Sequence, residues 1–576
     1  MQPDRLTAWG RPAEPGDRPR VVVIGGGIAG LATGCYAQMS GMDTLILEKH
    51  VLPGGYCTAW ARDGYLFDYC VDWLSGTGDS GDAAQVWREL GALDGKEIAH
   101  FEMFNRVMDE TGRAVTFYND PDRLERHLLD LSPGDAEPIR QLCRYLRGFL
   151  NAHPYPILKP PPLKSTREKL GTALATLPLL RLFYRTATTQ MADFAQRFKD
   201  PLLRRALPNI ILQDPVGFPV LPYLYGMARA HNGNAGFPEG GSLGLVRSIE
   251  ERYTGLGGQL ACRARVERVL VENDRAVGVE LKNGTRIRAD HVVSACDGNT
   301  TVNGLLGGAY TSPRVDRLYR EMLHEPDNLF PSAVSTYFGI DGPVKTEDPH
   351  STTYLLPPEE GARLFGGLHS TMVVQLFNHY WEGFAPPGKS VIRCTYFSDF
   401  DAWKKLRTTN RREYWTTKRR VADFQRGFLE RLYPGTDERI EVVDIATPVT
   451  AHRYTGNHNG TIFAWKPFSP ADDEVTKLIN KDRMRLPGLD GFSMTGQWVG
   501  MGGLIRAATT GRFVVQFICE ELGLPFRPSP SPGGGGRWHR EKLGHLPQLD
   551  TRALRQLNSR ASDETEATAD GDSHAA

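Results

Sequence analysis

Cysteine is scarce and scattered in this chain: eight among 576 residues, at positions 35, 57, 70, 143, 262, 296, 394 and 519. None forms a C-x-x-C pair, which argues against a metal site of the zinc type and against a disulfide framework. An excess of charge is lacking as well. Sixty-eight Lys and Arg balance 68 Asp and Glu, so no global field gathers nucleic acid, and no such partner is expected. No run of about 18 apolar residues is present, and no transmembrane helix is expected. The segment Met1–Arg20 is polar and lacks an apolar core, so no secretory signal is expected either. These absences together predict a soluble or peripheral, cytoplasmic protein.

What is present is concentrated near the start. Val21–Ile24 is a β-branched run of the kind found in buried parallel strands. Gly25, Gly27 and Gly30 follow directly at the G-x-G-x-x-G spacing. There the first glycine permits a tight turn, the second lets backbone approach a pyrophosphate, and the third lets helix and strand pack closely. A second strand, Thr44–Leu47, ends at Glu48, 18 positions after Gly30. An acidic residue about 20 positions on reaches a ribose hydroxyl in dinucleotide folds. Strand, glycines, helix, strand and acid in this order predict a Rossmann-like domain.

Further along, Glu48-Lys49-x-x-x-Pro53-Gly54-Gly55 and Gly64-x-x-Phe67-Asp68 resemble the flavin-binding N-terminus of the phytoene desaturase, carotenoid isomerase and retinol saturase family. Three later stretches strengthen the resemblance. Phe237-Pro238-Glu239-Gly240-Gly241 precedes a helical pattern, Ala446–Asn457 resembles the segment entering a second cofactor contact, and Gly496–Gly503 is a glycine-rich turn before a helix. The resemblance implies FAD held along its whole length. Gly25, Gly27, Gly30, Gly54 and Gly55 would face its diphosphate, and Glu48 with Lys49 would lie at the ribose end. Backbone at Val266 would meet the adenine, and Gly496, Gly503 and Leu504 the pyrimidine end of the ring. Trp498 is the residue implied nearest the ring. His452 is a second candidate, more readily a structural hydrogen-bond partner than a base. The pattern departs at Cys70, where carotenoid desaturases carry the glycine of an Asp-x-Gly. That departure points toward tailoring of a polyene in secondary metabolism.

The expected fold is α/β: a discontinuous Rossmann-like (glutathione-reductase-type) FAD-binding domain from 19–80, 236–305 and 441–525. An α+β substrate domain is inserted from 81–235 (mostly helical) and 306–440. Residues 1–18 are expected to be a flexible N-terminus and 526–576 a disordered tail, which begins with a Pro/Gly-rich linker. Within it, Leu554 and Leu557 after Asp550 suit one short helix. Alternation around the Asn283-Gly284 turn predicts a β-meander across 265–295. Residues 151–190 combine five prolines before residue 163, leucines 170, 174 and 177 at helical spacing, and flanking basic residues. They suit either contact with a membrane surface or a solvated helix over the substrate domain. Aromatic residues between Phe377 and Trp403 could wall a pocket for a flat, elongated molecule.

The resemblance implies an FAD-dependent oxidoreductase acting on carbon–carbon bonds of a hydrophobic, conjugated polyene, by desaturation, saturation or reductive cyclisation. With no second G-x-G-x-x-G unit, NADPH would be a transient electron donor. A redox-neutral carotenoid-type isomerase and a flavin amine oxidase are the alternatives. The arginine that amine oxidases carry beside the glycine pair is absent, since Tyr56 follows Gly55. A flavin-loaded binding protein is the non-enzymatic alternative.

Overall fold

A computed structural model describes residues 9, 17–152, 157–211, 218–500 and 502–533. The Leu554–Leu557 helix expectation lies outside these residues. A five-stranded parallel sheet runs in the order Gln259–Ala261, Asp43–Leu47, Arg20–Ile24, His291–Ser294 and Phe492–Met494. Its central strand is wholly apolar at Val21, Val22 and Val23, each with no exposed surface, as a strand covered on both faces requires. Helices Ile28–Met39 and Gly241–Gly255 pack against it, and Leu504–Leu522 packs along Ile28–Met39. The expected meander forms three antiparallel strands, Val266–Glu272, Arg275–Leu281 and Arg286–Arg288. Asn273 and Asp274, both at positive φ, make the tight turn that a right-twisted hairpin favours.

The second sheet has seven strands, ordered Ile440–Ala446, Ser332–Ile340, Ser390–Ser398, Thr371–Leu376, Ser351–Leu355, Met103–Met108 and Ala114–Tyr118. Only the pair Ser351–Leu355 with Met103–Met108 is parallel. Helix Arg411–Leu432 covers one face, burying Val421, Phe424 and Phe428 among Val334, Phe338 and Tyr396. The opposite face looks toward the nucleotide-binding half. A separate helical core joins Leu124, Leu142, Leu203 and Leu224.

The boundaries at 441, at 526 and at the N-terminus differ from expectation. Ile440–Ala446, assigned to the cofactor domain, is the edge strand of the second sheet, where it pairs with Ser335–Ile340. The stretch 81–235 contributes a strand pair to that sheet as well as helices, because Val107, Val115 and Phe117 alternate inward at period two. The tail does not leave the body at 526. Phe526 packs on Tyr36 at 5.8 Å, Arg252 Nη2 donates to the Ser529 carbonyl at 3.2 Å and Ser531 N to the Arg88 carbonyl at 2.9 Å. At the other end Trp9 is buried, its carbonyl accepting from Arg288 N at 2.7 Å.

Candidate active site

The glycine turn sets one end of the site. Gly25 adopts φ +99°, and a Cβ on Gly30 would lie 2.0 Å from the Gly25 carbonyl oxygen, so no other residue fits there. The Gly54-Gly55 pair crosses this turn directly. Gly54 N donates to the Gly26 carbonyl at 2.8 Å, and Gly54 bridges to Gly27. Glu48 is buried, and its two carboxylate oxygens each accept one backbone amide, from Gly26 and His50, both at 2.7 Å. Each oxygen keeps capacity for a further donor. Lys49 lies beside Gly456, where a Cβ would come within 2.8 Å of its Nζ. Burial lowers the pKa of its ammonium.

Two helices aim their N-termini at the same cavity without any side-chain cap. Asp120, Ser165, Asp200, Asp399, Asn410 and Ser469 each accept a first-turn amide of their helix, whereas Asp82–Glu89, Ala136–Leu150 and Val220–His231 also lack a capping side chain. Ile28–Met39 and Leu504–Leu522 start instead at Gly27 and Gly503, with no capping side chain and no acid in the first turn. Their leading amides have no intrahelical acceptor, and both helix dipoles favour negative charge at this point. The two helices are held close at Gly511, where a Cβ would sit 2.7 Å from the Ala29 carbonyl oxygen. The donor set therefore fits a cofactor rich in anionic and acceptor oxygens.

The remaining residues singled out by sequence fall on the wall of one cavity of about 1940 Å³, which also contacts Gly25, Gly27, Glu48, Gly55, Val266, Gly496 and Leu504. Gly496 N donates to Thr510 Oγ1 at 2.9 Å. Trp498 is 2% exposed; it packs on Trp465 at 5.3 Å, donates to Asn457 Oδ1 at 3.4 Å, and its carbonyl accepts from Tyr319 OH at 2.6 Å. His452 Nδ1 lies 2.9 Å from the Asn457 carbonyl, near the end of helix Pro448–Thr455. Asn457 thus joins both residues. Val266 opens the meander opposite Leu281.

Sequence reasoning missed how the second sheet builds the cavity floor. Cross-strand register aligns Asp444, Tyr337, Arg393 and Gln375 in one row, Ala446, Ser335 and Thr395 in the next, and Ala333 with Phe397 in a third. The floor grades from charged through hydroxylic to apolar over four residues, about 13 Å. Arg393 is 4% exposed and pairs with Asp72, while its Nε donates to Gln375 Oε1 at 2.8 Å and its Nη1 to the Asp68 carbonyl at 3.2 Å. Tyr56 stacks on Tyr69 at 4.7 Å, both on the cavity wall. Asp68, the acid of the Phe67-Asp68 motif, caps helix Gly241–Gly255 from a distance, accepting Ser242 N and Oγ at 2.6 Å each. Burial pushes its carboxyl up to about 6 against these hydrogen bonds. None of these pairings has a local signal; each depends on register between distant segments.

The apolar end of the cavity reaches Phe218, Leu221, Phe183, Tyr184 and Leu180. Leu180 and Tyr184 are at once cavity wall and outer surface, 60% and 70% exposed. Leu170, Leu174 and Leu177 continue the exposed apolar strip at 60%, 61% and 63%. Helix Thr166–Thr176 buries no residue at all. Among the described residues, no helix is long and apolar enough to cross a membrane.

A glycine turn and two open helix ends at the edge of a parallel sheet, facing a large apolar cavity, define an enzyme built around a dinucleotide cofactor. Residues 28–422 match the family described as flavin containing amine oxidoreductase. The chain belongs to that family and is an FAD-dependent oxidoreductase. It is 24% identical over 523 residues to prolycopene isomerase 1, chloroplastic, of an Oncidium hybrid cultivar, covering 87% of this chain and 84% of that protein. It is 30% identical over 302 residues to a lycopene-forming phytoene desaturase of Paracoccus, covering 50% and 56%. All-trans-retinol 13,14-reductase of Danio rerio is 24% identical over 478 residues, covering 77% of each. An oxidoreductase of Methanosarcina mazei shares the fold with a TM-score of 0.55 at 17% identity, covering 86% of this chain and 100% of that one.

Proposed function

We propose that this flavoenzyme transfers hydride between FAD and a carbon of a hydrophobic, conjugated polyene. The observation that carries the reading is one continuous cavity. At about 1940 Å³ it is roughly twice the upper size of an ordinary small-molecule site, with a glycine cradle at one end and an apolar outlet at the other. Relatives named for phytoene, prolycopene and retinol support the substrate class.

FAD supplies the hydride-accepting or hydride-donating ring chemistry when bound. The chain's own groups bind and orient. The amides behind Gly25, Gly27 and Gly30, with the Gly54-Gly55 crossing, hold the diphosphate. Glu48 accepts ribose hydroxyls, Lys49 balances charge at that end, and Val266 backbone meets the adenine. Gly496, Gly503 and Leu504 bring helix amides to the ring, where they favour negative charge. Trp498 walls the ring pocket through its packing on Trp465, and His452 fixes the Asn457 loop on which the Trp498 indole rests. NADPH serves as a transient donor, or a quinone or dioxygen as acceptor. Leu170, Leu174, Leu177 and Leu180 rest in a lipid surface and admit substrate beside Tyr184.

The test is anaerobic. Yellow protein in phospholipid vesicles is mixed with phytoene, lycopene or retinol, with and without NADPH, while flavin absorbance and products are followed. A flavin spectral change with a polyene is expected. If putrescine changes the flavin spectrum and no polyene does, the amine-oxidase alternative replaces this reading. If the protein binds no FAD, the reading fails entirely.

A further inference from the structure

The charged end of the cavity holds more cation than the chain can match. On helix Arg411–Leu432, residues Arg411, Tyr414, Trp415 and Lys418 share one face at helical spacing, and all four contact the cavity. Lys418 is 5% exposed. Its Nζ stands 4.6 Å from the Trp415 ring centre and 5.8 Å from that of Tyr414. Among the described residues it makes no hydrogen bond and meets no carboxylate within 4 Å. Burial pushes its ammonium down to about 8, opposed by Asp444 and reinforced by Arg407 and Arg62, which places those groups around it. Arg407, Arg411 and Arg62 line the same cavity.

Asp444 is the carboxylate of this group, and it is already engaged. Its Oδ2 accepts Trp60 Nε1 at 2.8 Å and lies 3.0 Å from Arg62 Nε, while its Oδ1 accepts Ile445 N at 2.8 Å. Arg62 is thus matched by Asp444, while among the described residues Lys418, Arg407 and Arg411 have no ion pair. A buried ammonium without a partner is costly, and a chain without use for it would place an apolar residue there. The aromatic faces of Trp415 and Tyr414 offset part of that cost and leave the ammonium's donors directed at the cavity.

We infer that the basic cluster of Lys418, Arg62, Arg407 and Arg411 binds an anionic head group on the substrate, a carboxylate at one end of the polyene. This rests on the polyene reading above. The graded floor runs the right way for it. Asp444 and Arg393 mark the charged row, and Phe397 the apolar row about 13 Å further along the strands, toward Phe218 and the exposed leucines. A carboxylate held at Lys418 lays the conjugated chain along that floor and fixes which carbons reach the cofactor. A neutral hydrocarbon gains nothing from the cluster.

Quenching of tryptophan fluorescence in the holoenzyme reads binding of retinoic acid, retinol and the hydrocarbon axerophtene, three polyenes differing at one end. The wild type is expected to bind the acid at least about tenfold more tightly, as a charge-assisted hydrogen bond provides. Lys418→Met removes that preference and leaves retinol within twofold. Arg411→Gln, at an exposed position, reduces it about fivefold and covers the case in which Lys418→Met fails to fold. Equal binding of acid and alcohol by the wild type overturns the inference, as does an unchanged preference in Arg411→Gln and a folded Lys418→Met. Competition of retinoic acid with NADPH but not NADH would assign the cluster to a nucleotide phosphate and overturn it as well. Failure of all three polyenes to bind refutes the polyene reading itself, and this inference with it.

Discussion

Replacing Glu89 by Gln isolates one buried charge. Arg512, on the closing helix Leu504–Leu522, and Glu89 are 5% and 3% exposed, with Nε to Oε2 at 3.0 Å and Nη2 to Oε1 at 3.3 Å. Glu89 also accepts Tyr36 OH at 2.8 Å and Gln85 Nε2 at 3.0 Å. Glutamine keeps the shape and one acceptor but leaves the guanidinium uncompensated, which costs about 3–5 kcal/mol. Unfolding entropy of roughly 2.1 cal/mol/K per residue, over about 500 ordered residues, amounts to ~1 kcal/mol per degree. Calorimetry of the holoenzyme should therefore place the melting point of Glu89→Gln about 3–5 °C below the wild type. Removing the stranded cation should help: Glu89→Gln with Arg512→Met is expected to melt above Glu89→Gln alone. A double variant at the additive sum of two destabilised singles would refute the reasoning, because coupling between contacting charges is what the argument requires.

Gly30→Ala places its Cβ 2.0 Å from the Gly25 oxygen and must displace the turn. The purified variant should lose its bound flavin, seen as loss of absorbance relative to protein. Serine at Leu170, Leu174 and Leu177 should abolish sedimentation with phospholipid vesicles while leaving the melting point within about 1 °C, since helix Thr166–Thr176 buries nothing. His291 and His350 are buried, and burial lowers each ring from an ordinary 6.5 to about 3. Between those values the unfolded chain binds more protons, so stability is complete above about pH 6.5 and falls as pH drops. Each contributes a slope of about 1.4 kcal/mol per pH unit, and His291→Gln should reduce the acid slope of urea-unfolding free energy by that amount.

The nucleotide-binding half was legible because its constraints are local. Gly25, Gly30 and Gly54 are dictated by φ or by contacts within the same turn, and such requirements leave a fixed spacing along the chain. The meander was legible for the same reason, through the alternation beside its turns. Asp444, Arg393 and Phe397 were not, since their juxtaposition arises from the register of strands that meet only after folding. Lys418 was hidden by its helix, where Lys and Arg abound and only packing separates a buried ammonium from solvated ones. The domain edge at 441 failed because the strand Ile440–Ala446 carries apolar residues on both faces, at Val442, Val443, Ile445 and Ala446, a pattern that a strand of either sheet can show.

The strand order of the parallel sheet has a consequence for how the chain is made. Arg20–Ile24 finds one neighbour at Asp43–Leu47, but its other side waits for His291–Ser294; Arg20 N meets the Asp290 carboxylate across 270 residues. Phe492–Met494 and the closing helix come later still. During synthesis an apolar strand edge therefore stands open while about 240 further residues emerge, and such edges recruit other chains. The long-range pairings also make folding slow. Production at low temperature or with abundant chaperones should raise the soluble fraction. Truncation before residue 490 should leave insoluble protein, because His291–Ser294 then keeps an uncovered side.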